Sequence, residues 1–154
     1  MKKILFVCLG NICRSPTADG VLRKLIADAG LEKRILVDSA GTGDWHIGHA
    51  PDPRTVKFAA KRGYDLSVLR ARLVNVNDFD EFDYILAMDK SNLANLQKMK
   101  PVHFTGHLGL FMDFAPHVGY QEVPDPYHGD TEDFERVLDL VEETAKIFLK
   151  NITE

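Results

Sequence analysis

The chain has 154 residues, 45% of them hydrophobic and 27% charged, with a formal net charge of −4, the profile of one soluble globular domain over residues 1–154. An acidic balance speaks against nucleic acid or an anionic membrane as a bulk partner, and the N-terminal apolar run, Ile4 to Cys8, is too short for a signal-peptide core or a spanning helix. Cys8 and Cys13 lie close together in a chain long enough to bury a core without staples, so a reducing, cytoplasmic setting is expected.

The first predicted element is a buried strand over Ile4-Leu5-Phe6-Val7, a short apolar run without polar alternation. A helix follows, with Ser15 as the expected N-cap and Pro16 as its first residue. Ala18, Val21, Leu22, Leu25, Ile26 and Ala29 recur on one helical face, and Gly30 is the expected stop. Ile35-Leu36-Val37 reads as a second strand ending in Asp38-Ser39-Ala40-Gly41, and the polar stretch from Gly41 to Pro51 reads as a loop. Asp52-Pro53 opens a second helix that runs through Arg62 and closes at Gly63. Tyr84 to Met88 is a third buried strand, Asp89 to Met99 a helix, and Leu108 to Met112 a fourth strand. Asp130 caps a long last helix whose apolar face is Phe134, Val137, Leu138, Val141, Ala145, Phe148 and Leu149. Strands alternating with helices predict an α/β fold, a three-layer sandwich around a central four-stranded parallel sheet. Ligands of such sheets bind at the carboxyl ends of the strands, which directs attention to the segment that begins at Cys8.

Cys8 and Arg14 frame the loop Cys8-Leu9-Gly10-Asn11-Ile12-Cys13-Arg14-Ser15. A loop from a strand end to a helix start turns several backbone N–H groups towards one point, and the helix N-terminus adds unsatisfied donors and a partial positive charge. Together they form an anion nest. Gly10 is expected to supply a backbone conformation closed to other residues, and Arg14 a planar fork for two oxygens of a phosphate. The same positive field favours the thiolate form of a cysteine beside it. A charged nucleophile under a site for a tetrahedral oxyanion suits attack on phosphorus with neither metal nor cofactor. Phosphate binding alone would not use the cysteine, and an acyl hydrolase would want a histidine base that this loop lacks. A cysteine and an arginine at this spacing also occur by chance, as a buried strand-end residue and a surface residue. The strand–loop–helix context brings the catalytic reading level with that one.

The residues go further than the spacing. Val7-Cys8-Leu9-Gly10-Asn11-Ile12-Cys13-Arg14-Ser15-Pro16 resembles the signature of the low-molecular-weight protein-tyrosine phosphatase family nearly letter for letter, at the N-terminus where that family carries it. The similarity continues in family order through Asp38-Ser39-Ala40-Gly41-Thr42, Asp44-Trp45-His46-Ile47-Gly48, Pro51-Asp52-Pro53-Arg54, Phe82-Asp83-Tyr84-Ile85-Leu86 and Met88-Asp89-x-Ser91-Asn92-Leu93. It closes with Val123-Pro124-Asp125-Pro126-Tyr127.

This resemblance implies a flavodoxin-like, phosphotyrosine phosphatase I-like fold. It implies hydrolysis of phosphotyrosine in proteins, and of small aryl phosphates, through a phosphocysteine intermediate. Cys8 is then the nucleophile and Arg14 the phosphate clamp, with Gly10, Asn11, Cys13 and Ser15 in the loop around the phosphate or another bound oxyanion and Leu9 and Ile12 flanking the phosphoaryl ring. From the residues alone the proton donor could be any of 23 acids. Asp125 is set apart only by its stiff position between Pro124 and Pro126, which fits a plain turn as well. The family's general acid sits in an Asp-Pro-Tyr element, which assigns the role to Asp125. Trp45 lies in a polar loop rather than an apolar stripe, and the resemblance sets it with Tyr127 as the aromatic walls of a slot deep enough for phosphotyrosine. It also implies that Cys13 can pair with Cys8 on oxidation; by itself Cys13 reads as a small core residue.

Two positions depart from the family pattern. Many members carry a histidine in a Ser-x-His-x-Ala-Arg element, where this chain has Ser67-Val68-Leu69-Arg70-Ala71-Arg72. Leu69 cannot hydrogen-bond, so either another donor supports Asn11 or the loop is less rigid. His128 follows Tyr127, where animal members often have a second tyrosine. His46 and His49, and His103 and His107, have spacings seen in metal sites, but no His-Glu-x-x-His occurs and no metal is expected. Three rivals remain. An arsenate reductase on the same fold would relay oxidation to downstream cysteines, and none follows Cys13. A protein arginine phosphatase tends to carry threonine in place of Ile12. A phosphopeptide-binding module or a flavin-binding domain has no use for Cys8, Arg14 and Asp125 together. Phosphotyrosine-containing proteins are the expected partners.

Overall fold

The structure, a computed structural model, describes all 154 residues. Strand β1 (Lys2–Cys8) is buried from Ile4 onward and pairs in parallel on both sides, with β2 (Ile35–Gly41) and β3 (Tyr84–Ala87). Strand β4 (His107–Leu110) pairs with β3, which gives a four-stranded parallel sheet of order β2-β1-β3-β4. Alternation along β1 divides its side chains between two cores. Ile4, Phe6 and Cys8 join the larger one, Leu5 and Val7 the smaller. The larger core is completed by helices α1 (Arg14–Asp28), α2 (Pro53–Lys61) and α5 (Thr131–Thr153). Helices α3 (Asp78–Glu81) and α4 (Lys90–Met99) bury Phe79 and Leu96 in the smaller one. The expected three-layer α/β architecture is therefore present, and the unbroken apolar run of β1 reflects burial on both faces. No helix is long and apolar enough to cross a membrane.

Connectivity positions the site. The chain leaves β1 through α1 to β2 on one side, then crosses to β3 and β4 on the other. The carboxyl end of β1 is thus the point where strand order reverses, and there an open α/β sheet leaves a crevice. Cys8 is the last residue of β1, paired with Gly41.

The helix starts show what local chemistry controls. Asp52, Asp89 and Asp130 accept backbone N–H bonds from Arg54, Asn92 and Asp133, and Asp133 returns the bond in a capping box. Helix α1 departs from expectation. It starts at Arg14 with Cys13 in the cap position and no side-chain cap bond. Ser15 turns its hydroxyl inward, to the sulfur of Cys8 and the amide of Asn11, so it is not the N-cap. Gly30, at φ 70°, and Gly63, at φ 88°, take the left-handed closing turns of α1 and α2; Ala29 is an exposed C-cap rather than part of the buried face. Strand β4 is displaced from its expected range because the chain turns into a 3₁₀ helix, Phe111–Phe114. There Phe111 packs edge-on against Phe6, ring centroids 5.0 Å apart. Helix α3, four residues long, is too short to register as periodicity.

Two consequences are measurable. Phe148 is fully buried and stacks edge-on with Tyr84 and Phe114, at 5.3 and 4.8 Å. Phe148→Ala is expected to lower the unfolding free energy by about 3–5 kcal/mol in a denaturant titration; a loss under about 1 kcal/mol would contradict this packing. Glu142 of α5 accepts from Tyr64 Oη at 2.6 Å and from Arg62. Burial alone would raise the Glu142 carboxyl, but the bonds from Tyr64 and Arg62 outweigh it and hold the carboxyl below the ordinary glutamate range. The folded carboxyl is the more acidic, so its contribution is complete above the unfolded value, about 4.3, and is lost as pH falls through the lower, folded value. Glu142→Gln is therefore expected to flatten that part of the acid limb in denaturation midpoints measured from pH 7 to 3. An acid limb identical to wild type would refute it.

Candidate active site

The loop after β1 is braced from outside by backbone bonds. Thr42 donates its N–H to Cys8 O at 2.9 Å and Gly43 to Leu9 O at 2.8 Å, while Asp52 donates to Ile12 O at 2.9 Å. Within the loop, Asn11 is the one non-glycine residue with positive φ, at 57°. The left-handed turn expected at Gly10 falls on Asn11 instead. Gly10 answers to crowding, because a Cβ there would lie 3.1 Å from His46 Cδ2. A left-handed asparagine needs support, and its side chain is held at three points. Nδ2 donates to Ser15 Oγ at 2.8 Å and to Ser39 Oγ at 3.0 Å, and Oδ1 accepts from the backbone N–H of Arg72 at 3.0 Å. Arg72 is anchored in turn by Asp38 and Asp78, both at 3.1 Å. Leu69 packs against the larger core. Ser15, Ser39 and the Arg72 amide carry the support of Asn11.

Cys8 is 2% exposed. Its sulfur lies 3.0 Å from Ser15 Oγ and accepts from the Asn11 N–H at 3.3 Å. Asn11 apart, no backbone amide from Leu9 to Ser15 donates to a protein acceptor. Amides left free in this way are what an anion nest needs. Arg14, 3% exposed, donates Nη1 to Asp89 Oδ2 at 2.7 Å and to Val123 O at 3.1 Å, and its Nη2 lies 3.7 Å from Asp125 Oδ2. Burial works to lower the guanidinium pKa, but the negative groups of Cys8, Asp89 and Asp125 outweigh it and hold Arg14 above its ordinary value.

Above the sulfur opens a cleft of about 280 Å³. Cys8, Gly10, Cys13 and Arg14 contribute to its lining, as do Leu9, Ile12, Trp45, Asp125 and Tyr127. Trp45 is 66% exposed and Tyr127 40%, as rim residues are. Asn11 and Ser15 do not line the cleft; they lie behind the loop, 2% and 0% exposed. Both cysteines are free thiols. Burial, then the charges of Asp52, Cys8 and Asp125, pushes the Cys13 thiol up to about 12 against a lowering contribution from Thr55.

Several members of this site were not singled out from the sequence. Asp89 follows β3, Ser39 lies two residues before the end of β2, and both are in the carboxyl half of the sheet; that position was the available signal. The Arg72 contribution is a backbone amide, which no residue type advertises. His46 and His128 line the cleft, and the His46 and His49 rings stand 5.8 Å apart. His103 pairs with Asp80 while His107 packs on Tyr84 and Phe114, so that histidine pair diverges.

The whole architecture has known counterparts. The family model described as low molecular weight phosphotyrosine protein phosphatase matches residues 3–154. A low molecular weight phosphotyrosine protein phosphatase of Schizosaccharomyces pombe is 44% identical over 151 residues, covering 97% of this chain and 96% of that protein. The low molecular weight protein-tyrosine-phosphatase YfkJ of Bacillus subtilis is 41% identical over 152 residues, 99% of this chain and 96% of that one. A crystal structure of a protein tyrosine phosphatase from Entamoeba histolytica, with Hepes in the active site, superposes with a TM-score of 0.95 at 38% identity, over 99% of this chain and 97% of that one. The chain belongs to the low molecular weight phosphotyrosine protein phosphatase family and is, with it, a hydrolase enzyme.

Proposed function

We propose that the protein hydrolyses phosphotyrosine in proteins through a phosphocysteine intermediate formed on Cys8. One observation carries this reading. The Cys8 sulfur, the Arg14 guanidinium and the Asp125 carboxylate converge on a single cleft whose loop amides are unengaged by the protein.

The chemistry runs as an in-line displacement. Cys8, as thiolate, attacks phosphorus; the S–P bond forms as the P–O bond to the aryl group breaks. The loop N–H groups and Arg14 bind the equatorial oxygens, where charge is spread in the transition state. Asp89 and Val123 O fix the guanidinium while leaving the rest of its fork to face substrate. Asp125 gives its proton to the leaving oxygen. As a carboxylate it then takes a proton from water, whose oxygen attacks phosphorus and releases the sulfur. Ser15 Oγ, 3.0 Å from that sulfur, is placed to hydrogen-bond it as it leaves. Leu9, Ile12, Trp45 and Tyr127 offer apolar walls to an aromatic ring. The Hepes in the Entamoeba active site carries a sulfonate, a tetrahedral oxyanion like the phosphate proposed here. Cys13, with its thiol pushed up to about 12, stays protonated at neutral pH and is no competing nucleophile.

Two experiments follow. Wild-type protein is expected to turn over p-nitrophenyl phosphate and a phosphotyrosine peptide in excess chelator, with phosphoarginine peptide a poor substrate, and Cys8→Ser to be inactive. Turnover by Cys8→Ser near the wild-type rate would end the scheme, and preference for phosphoarginine would reassign the substrate. The second concerns loop geometry. A Cβ on Gly41 would lie 2.8 Å from Leu9 O and 3.2 Å from both N and Cβ of Asn11, so Gly41→Ala must displace the nest. Its kcat/KM is expected to fall by about tenfold or more with the circular dichroism spectrum retained; an unchanged kcat/KM would show that the loop tolerates the shift.

A further inference from the structure

Between buried Val123 and the α5 cap at Asp130 the chain forms neither helix nor strand. Asp125 lies in this stretch with its side chain 48% exposed, and its 3.7 Å approach to Arg14 is too long for a hydrogen bond. Local bonds hold the stretch only to itself: Tyr127 donates its N–H to Asp125 Oδ1 at 3.1 Å, and Gly129 to Pro126 O at 2.8 Å. A carboxyl that must meet a leaving oxygen within a few tenths of an ångström needs more than that.

The missing tether is Arg54, in the first turn of α2. Its Nη2 donates to Tyr127 O at 2.7 Å and its Nη1 to Gly129 O at 3.4 Å. The guanidinium carbon lies 5.9 Å from the Tyr127 ring centroid and 4.6 Å from that of Phe134. On its other side, Nε and Nη2 grip the Asp52 carboxylate at 3.2 and 3.0 Å. Asp52 is 8% exposed, and its own N–H donates to Ile12 O in the Cys8 loop. The bonds with Asp52 hold Arg54 above its ordinary value, so it stays charged throughout the working range. A continuous line of contacts joins the loop of Cys8 to the segment of Asp125: Ile12, Asp52, Arg54, Tyr127, Asp125.

We propose that Arg54 is a positioning residue for proton donation, setting the Asp125 segment at a fixed distance from the nucleophile loop through Asp52. This rests on the reading of Asp125 as the proton donor. Arg54 makes no hydrogen bond to the Cys8 sulfur or to Arg14, whereas it bonds Tyr127 O and Gly129 O directly, so its loss bears first on the leaving-group side. Its planar fork is required because two acceptors on one side and a carboxylate on the other must be held at once.

The test is kcat/KM, which reports cleavage of the P–O bond, across aryl phosphates from 2,4-dinitrophenyl to phenyl phosphate. The enzymes are wild type, Arg54→Leu, Arg54→Lys, Asp125→Asn and the Arg54→Leu/Asp125→Asn double variant. A good leaving group departs without a proton and a poor one does not. Arg54→Leu, which keeps an apolar stem against Phe134, is expected to lose about tenfold or more on phenyl phosphate and less than about twofold on the dinitrophenyl ester. Arg54→Lys should recover part of that loss, and the double variant should be no worse than Asp125→Asn alone. An equal loss across all leaving groups, or no loss, would overturn the proposal while a steep Asp125→Asn series left the donor assignment standing. A flat Asp125→Asn series would overturn the assignment itself and the proposal with it.

Discussion

Asn11 holds a left-handed backbone at φ 57° because three hydrogen bonds over-determine its side chain. The cost of such a conformation, about 1–2 kcal/mol, is met by bonds to three separate segments. Ser15 belongs to α1, Ser39 to β2, and the Arg72 amide to the chain before α3. The same asparagine donates its own N–H to the Cys8 sulfur.

Electrostatics follow from that geometry. A guanidinium 3% exposed is tolerable only when paired and hydrogen-bonded. Asp89 and the Val123 carbonyl satisfy one side of Arg14, while Asp125 stands further off. Two carboxylates stand around this one cation, so its side chains give the cleft no excess of positive charge.

The sheet supplies the rigid reference for all of this. β1 is flanked by parallel partners and buried on both faces, so Cys8 cannot move without the core. The aromatic rim is different. Trp45, Tyr127 and Asp125 sit exposed on irregular chain, with the Tyr127 carbonyl bonded by Arg54. A rigid floor beneath an adjustable rim suits phosphoryl chemistry on protein side chains, where the phosphate is constant and its surroundings vary.

Much of the fold was legible because its signals are local. The apolar run of β1, the aspartate caps at Asp52, Asp89 and Asp130, and the glycines at 30 and 63 act within a few residues of where they stand. The loop from Cys8 to Ser15 was legible for the same reason, and the wider string of matching residues carried the family. What the local signals could not convey was direction. Ser15 has the composition of a cap yet turns to sulfur; Gly10 has the freedom for a left-handed turn that Asn11 takes; Leu110 leads into a 3₁₀ turn that buries Phe111 against Phe6. Each outcome depends on groups far away in the chain, Ser39, Arg72, His46 and the sheet itself. The amino-acid sequence by itself determined the elements, their caps and the chemistry the Cys8 loop is equipped for. Only the tertiary structure decided which side chains point into that chemistry and which stand behind it, because hydrogen-bond partners at a sheet edge are chosen by distance in space, not by distance along the chain.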